Sequence, residues 1–149
     1  MLRAKISIAT LGGTLSMQRT THGAGITPAL GGEALLASIP ELNDLAELHV
    51  ESLGLLPSAS MDFEFLLSVL SWAKRQVAQG AQGVVITQGT DTLEETATFF
   101  EYLWDLDQPL VLTGAMRGAD QPGADGPANV LDACRVALSE DSTKRGVLV

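Results

Sequence analysis

Cysteine occurs once in the 149 residues, at Cys134. No internal disulfide can form, which suits a reducing compartment. Basic residues are scarce: nine Lys and Arg stand against 18 Asp and Glu, for a net charge of −9. Nucleic acid and anionic membrane surfaces both demand a basic footprint, so neither is expected as a partner. No apolar run approaches the ~18 residues needed to span a bilayer. The N-terminus passes at once into a strand pattern over 4–10, without the h-region and cleavage site of a signal peptide. The chain is therefore expected to be cytoplasmic. It has no GxxxxGK[ST] or GxGxxG phosphate loop and no Cys/His cluster for zinc, so no cofactor is implied. Apolar residues, by contrast, are plentiful. At 46% of the sequence they can bury the core of one domain.

The stretch 84–96, VVITQGTDTLEET, organises the rest. Val84-Val85-Ile86-Thr87 is a β-branched run that reads as a strand buried on both faces. Gln88-Gly89-Thr90-Asp91 is tight and polar. Helical spacing then takes over across 92–104, with Leu93, Ala97, Phe100 and Trp104 on one stripe. Other strands are expected over 5–11, 45–53, 109–113 and from Gly146 onward. A short helix over 31–39 closes at Pro40. A second opens at Ser60 or Met61, with Leu66, Val69, Leu70, Ala73 and Val77 as its stripe and Lys74, Arg75 and Gln76 off it; Gln79-Gly80 ends it. A third covers 128–138, with Pro127 near its first turn and Asp125 as a candidate cap. The segment 16–27, with His22, Gly23 and Gly25, shows no periodicity. It reads as a loop of about a dozen residues, long enough to suggest a lid.

Alternating strands and helices predict an α/β fold, a doubly wound, mostly parallel, flavodoxin-like sheet of strand order 2-1-3-4-5. Its switch point lies between strands 1 and 3. The loops Gly12-Gly13-Thr14 and Gln88-Gly89-Thr90-Asp91 then face one crevice, the expected ligand site. Thr14, Thr90 and Asp91 can converge there, with Ser58 from the loop after strand 2. A threonine hydroxyl becomes a nucleophile once a base takes its proton, and glycine-presented amides can stabilise an oxyanion. Asp91 suits a ligand ammonium. The set fits acyl transfer on a small amino-acid-like substrate.

Plainer readings stand beside these. Asp91 with Glu94, or Thr92 with Glu95, fits a helix-capping box. Thr14 can simply end a strand, and Ser58 can be an ordinary loop serine. Arg117 can hold its loop by pairing with Asp120 or Asp125. His22 and His49 read as surface or half-buried groups, and Trp72 and Trp104 as packing residues.

The segments IATLGGTLS (8–16), PSASMD (57–62), VVITQGTDTLEET (84–96), PLVLTGAMR (109–117), ADGPANVLDA (124–133) and RGVLV (145–149) resemble, in order, the N-terminal part of the bacterial-type L-asparaginases. Those enzymes hydrolyse L-asparagine to L-aspartate and ammonia. QGTDTLEET combined with an N-terminal GGT is the specific part of the match. The resemblance implies that Thr14 forms the acyl-enzyme and that Thr90 belongs to a proton-handling group beside a lysine. It implies that Asp91 grips the substrate α-ammonium and Ser58 the α-carboxylate. Ala115 sits where a backbone carbonyl can meet the substrate amide. The implied partners are L-asparagine, or L-glutamine, and further subunits of a homodimer or homotetramer.

Three positions depart from the family pattern. The region 23–30 lacks the loop tyrosine; Tyr102, the only tyrosine, falls on a helix. Gln88 stands where the family often has histidine. None of the three lysines, Lys5, Lys74 and Lys144, falls at the site, and the family's catalytic lysine lies beyond the fifth strand. Residues 1–149 are thus expected to form an N-terminal α/β domain that is incomplete at its C-terminal end and lacks a C-terminal domain. Loss of a general base costs ~10²–10⁴-fold, so the chain alone is expected to be nearly inactive. Alternatives are a non-catalytic amino-acid-binding or interaction module, the glutaminase-like subunit of a tRNA-dependent amidotransferase, and a nucleotide- or flavin-binding flavodoxin-like domain.

Overall fold

The computed structural model describes residues 3–13, 17–19, 26–28 and 37–149. Five parallel strands form the main sheet: β1 (Lys5–Thr10), β4 (Glu47–Ser52), β5 (Gly83–Thr87), β6 (Leu110–Thr113) and β7 (Val147–Leu148). Their order is β4-β1-β5-β6-β7, which is the expected 2-1-3-4-5 winding. Strand β5 is buried at all five positions, as its β-branched run requires when helices cover both faces.

Side-chain alternation along the strands separates the core into two layers. On one face Ile6, Ile8, Val85 and Val111 pack under α4 (Gly126–Leu138), meeting Val130, Ala133, Cys134 and Ala137. The four-residue helix α1 (Leu42–Leu45) adds Leu42 there, next to Ile39. On the other face Ala9, Leu11, Val84, Ile86, Leu110 and Leu112 meet two helices. These are α2 (Phe63–Ala78), through Leu66, Val69, Trp72 and Ala73, and α3 (Leu93–Glu101), through Phe100. Trp104 joins this layer from beyond the last turn of α3, with its N–H still bonded to Phe100 O at 2.8 Å.

Several expectations need correction. The segment 16–27 is not all loop: β2 (Met17–Arg19) and β3 (Ile26–Pro28) pair antiparallel. Three-residue strands are too short to show period-2 alternation. The helix expected over 31–39 falls mostly outside the described residues, as does His22. Helix α2 starts at Phe63, with Asp62 as its cap accepting from Phe65 N–H at 2.8 Å; a 3-10 turn, Ser58–Ser60, precedes it. Gln76 is not on the solvent side of α2. It is 8% exposed and accepts a 3.0 Å bond from the buried Ser7 hydroxyl of β1. A polar residue satisfied across the helix–sheet interface can occupy an otherwise apolar stripe. Asp125 forms no side-chain cap on α4; its carboxylate is engaged elsewhere. His49 is exposed and stacks on Trp72 at 6.4 Å.

Candidate active site

The carboxyl ends of β1, β4 and β5 are tied together by main chain. Leu11 N–H donates to Thr87 O at 2.9 Å, and Leu56 N–H donates to Leu11 O at 2.9 Å. Gln88 N–H donates to Thr113 O at 3.1 Å, bringing in β6. The turn after β1 therefore lies between the turns after β4 and β5. Gly13 has φ +88°, and a Cβ there would press into Gly89, 2.6 Å from its Cα and closest to its N. Only glycine fits both the angle and the approach. On its other side Gly89 meets Ser58: a Cβ on Gly89 would lie 2.9 Å from Ser58 Oγ.

This junction gathers most of the expected site residues. Ser58 is 3% exposed in its 3-10 turn. Thr90 and Asp91 form the 3-10 turn Thr90–Thr92 that leads into α3, Thr90 half-buried and Asp91 exposed. Ala115, 2% exposed, follows Gly114, where a Cβ would lie 2.9 Å from Thr90 Cγ2. Thr14 lies outside the described residues; its neighbour Gly13 is the residue seated on Gly89. The capping boxes expected for Asp91 and Thr92 are not formed. Thr92 is the residue before α3, and no side-chain bond caps that helix.

Four buried side-chain oxygens make no hydrogen bond among the described residues: Thr10 Oγ1, Ser58 Oγ, Gln88 Oε1 and Thr92 Oγ1. All four lie at the carboxyl ends of β1 and β5 or in the adjoining turns. An unmet buried acceptor or hydroxyl costs about 1–3 kcal/mol, and such groups concentrate where a fold serves function rather than stability. Gln88 is wholly buried, and its Nε2 donates to Gly89 O at 3.2 Å.

The loop carrying Ala115 is held from α4. Asp125 accepts from Met116 N–H at 3.0 Å and from Arg117 N–H at 2.9 Å. These two amide donors hold its carboxyl below the usual carboxylate range. Asn129, one turn on, donates through Nδ2 to Gly114 O at 2.9 Å and to Asp125 Oδ2 at 3.2 Å. The Arg117 guanidinium donates to Gly123 O at 3.4 Å. From the sequence Asp125 reads as a cap or as a partner for the Arg117 side chain, and Asn129 carries no distinguishing sign of its own. Their i, i+4 spacing, which puts both on one helix face, was the available signal.

The lysines are all engaged away from this junction. Lys5, at the amino end of β1, faces Glu47 at 3.7 Å, and Lys74 on α2 bonds Asp105 at 2.6 Å. Lys144, ahead of β7, lies 3.8 Å from Asp107.

A doubly wound parallel sheet with hydroxyl and carboxylate groups on glycine turns at its switch point defines the class: an α/β protein of the kind whose ligand sites lie at the carboxyl ends of the strands. Comparison with known proteins narrows this. The asparaginase family, through the domain described as "Asparaginase, N-terminal", matches residues 5–149, and the chain belongs to that family. It is 37% identical over 146 residues to a probable periplasmic L-asparaginase of Haemophilus influenzae, covering 97% of this chain and 42% of that protein. It is 37% identical over 160 residues to a glutaminase-asparaginase of Pseudomonas fluorescens, covering 98% of this chain and 41% of that one. A glutamyl-tRNA(Gln) amidotransferase subunit from Methanosarcina mazei is 29% identical over 136 residues, covering 91% of this chain and 32% of its own length. The fold superposes with a TM-score of 0.88 on the crystal structure of a probable cytoplasmic L-asparaginase from Campylobacter jejuni, at 33% identity, covering 98% of this chain and 44% of that chain. The chain thus spans less than half the length of these relatives. Among the described residues, no helix is long and apolar enough to cross a membrane.

Proposed function

We propose that this chain carries the nucleophile and the substrate clamp of an asparaginase-type amide hydrolase. In this reading Asp91 binds the α-ammonium of L-asparagine and Ser58 its α-carboxylate. The Ala115 carbonyl accepts a hydrogen bond from the side-chain amide. Thr14 Oγ attacks the carboxamide carbon, its proton passing to a base, and ammonia leaves as the acyl-enzyme ester forms. Water then cleaves that ester, releasing L-aspartate and restoring the hydroxyl. Thr90 helps to pass the protons. The observation that carries this reading is the close packing of Gly13 and Ser58 on Gly89. It joins the turns after β1, β4 and β5 into one patch beside the Thr90–Asp91 turn. The buried Ser58 hydroxyl, which has no hydrogen-bond partner among the described residues, supports a ligand role for that side chain.

The three lysines of residues 1–149 are engaged away from the patch, and general-base catalysis contributes ~10²–10⁴-fold to such chemistry. The test is therefore binding first and turnover second. Titration calorimetry with L-aspartate and L-asparagine should show heats that vanish in Asp91→Ala and weaken in Ser58→Ala. Ammonia release from L-asparagine should be slow and absent in Thr14→Ala. A folded chain that binds neither amino acid, or binds both equally well without Asp91, refutes the reading. The single cysteine, Cys134, suits a cytoplasmic location for this chain; one relative is named cytoplasmic and one periplasmic, and fractionation of cells expressing the chain would test the location.

A further inference from the structure

The two side chains at the start of α4 do more than close a loop. A trans peptide is planar, with its C=O and N–H pointing in opposite directions, and the described residues contain no cis bond. Met116 N–H shares its peptide plane with the Ala115 carbonyl. Drawing that N–H onto Asp125 Oδ2 at 3.0 Å turns the Ala115 carbonyl away from α4. The peptide before it is held as well, because Gly114 O accepts from Asn129 Nδ2 at 2.9 Å. Both planes flanking Ala115 are thus pinned from the same helix.

The opposite side of the segment is held by contact. A Cβ at Gly114 would lie 2.8 Å from Gln88 O and 2.9 Å from Thr90 Cγ2, so the segment has no room to slide toward the β5 turn. Asp125 and Asn129 are also joined to each other, at 3.2 Å, and spaced one helical turn apart. Neither plane can rotate without breaking a bond to a rigid element. We infer that Asp125 and Asn129 are positioning residues, which aim the Ala115 carbonyl at the carboxamide of the substrate by fixing the two peptide planes around it.

This inference rests on the role given to Ala115 in the proposed function. It makes a demand that simple loop stability does not. L-Asparagine offers a carboxamide N–H to the Ala115 carbonyl, whereas the L-aspartate side chain, a carboxylate at neutral pH, offers none. Loss of aim should therefore weaken L-asparagine and spare L-aspartate.

The experiment measures both affinities by titration calorimetry at pH 7. The samples are the full chain, Asp125→Asn and Asn129→Ala, each in a Thr14→Ala background so that no ligand is consumed. Asp125→Asn replaces one acceptor oxygen by an NH₂ group facing a backbone N–H. Asn129→Ala removes the Nδ2 bonds to Gly114 O and to Asp125 Oδ2 and leaves the two main-chain donors of the Asp125 carboxylate in place. Each should lower L-asparagine affinity about 3- to 10-fold, the range of one neutral hydrogen bond, with L-aspartate affinity unchanged. Equal weakening of both ligands, or no change in either, overturns the positioning role while leaving the binding site intact. Failure of the parent to bind either amino acid removes the proposed function itself, and this inference with it. Should Asp125→Asn not fold, Asn129→Ala alone decides.

Discussion

The contact between the β1 and β5 turns can be broken by one methyl group. Gly13→Ala meets two obstacles. Its φ of +88° is left-handed, which costs an L-residue about 1–2 kcal/mol. Its Cβ would also lie 2.6 Å from Gly89 Cα and 2.8 Å from Gln88 C. Both neighbours are main-chain atoms of buried residues, fixed by the Gln88 N–H bond to Thr113 O, so they cannot turn aside as a flexible side chain would. Overpacking of this kind costs about 1–3 kcal/mol. For a chain of this size each kcal/mol lowers Tm by about 2–4 °C, so the variant should melt about 10 °C early. Gly80→Ala separates the two effects. Gly80 ends α2 with φ +97° and has nothing within 4 Å of its Cβ position, so it carries the conformational penalty without the clash. Thermal unfolding followed by far-UV circular dichroism, on all three proteins at one concentration, is the assay. A Gly13→Ala chain that loses no more than Gly80→Ala would refute the tight junction, and with it the argument that the two turns build one site.

The other side of the same junction should respond differently. Gly89 has an ordinary φ of −64° and faces the Ser58 side chain. Gly89→Ala should therefore change stability by less than about 1 kcal/mol while displacing the Ser58 hydroxyl, and L-aspartate affinity should fall several-fold in calorimetry. Phe100→Ala removes a side chain that is 0% exposed and should cost about 3–5 kcal/mol, read as a lower urea midpoint at unchanged slope. Ser7→Ala leaves Gln76 Oε1 without its donor and should cost about 1–3 kcal/mol; a Ser7→Ala/Gln76→Leu double variant should recover part of that loss in the same assay. Burial pushes the Cys134 thiol up to about 12. At pH 8 it should resist iodoacetamide in the folded chain and react at once in denaturant, as mass spectrometry would show.

The parallel sheet was legible because its strands are short apolar or alternating segments followed closely by glycine, at Gly12, Gly54, Gly89 and Gly114, and separated by helical spacing. Val84-Val85-Ile86-Thr87 needed no tertiary information to be placed at the centre. The antiparallel pairing of β2 with β3 was not legible, because three residues cannot display a period. Gln76 was misplaced for a different reason. A helical stripe is read from apolar residues, and Gln76 is buried on the strength of a partner 69 positions away in the chain. Pairing at that separation leaves no local trace.

The candidate site divides along the same line. Residues whose type is unusual where they stand, such as the hydroxyls and the carboxylate after Gly89 in a strand-to-helix turn, announce themselves, and Ser58, Thr90 and Asp91 were singled out on that ground or on resemblance. Ala115 has no chemistry of its own; only its main chain matters, so resemblance alone pointed to it. Asp125 and Asn129 show the remaining limit. A carboxylate one residue before a helix is most simply read as its cap, and local physics gives no reason to prefer anything else. What diverts it is the loop from Gly114 to Arg117 folding back so that two successive N–H groups face one carboxylate. A carboxylate shared by two main-chain donors outside its helix forgoes the cap and gains control of a distant peptide plane. The residues that shape a site without touching its ligand are therefore the ones a sequence hides best, since their type is explained by a nearer and simpler role.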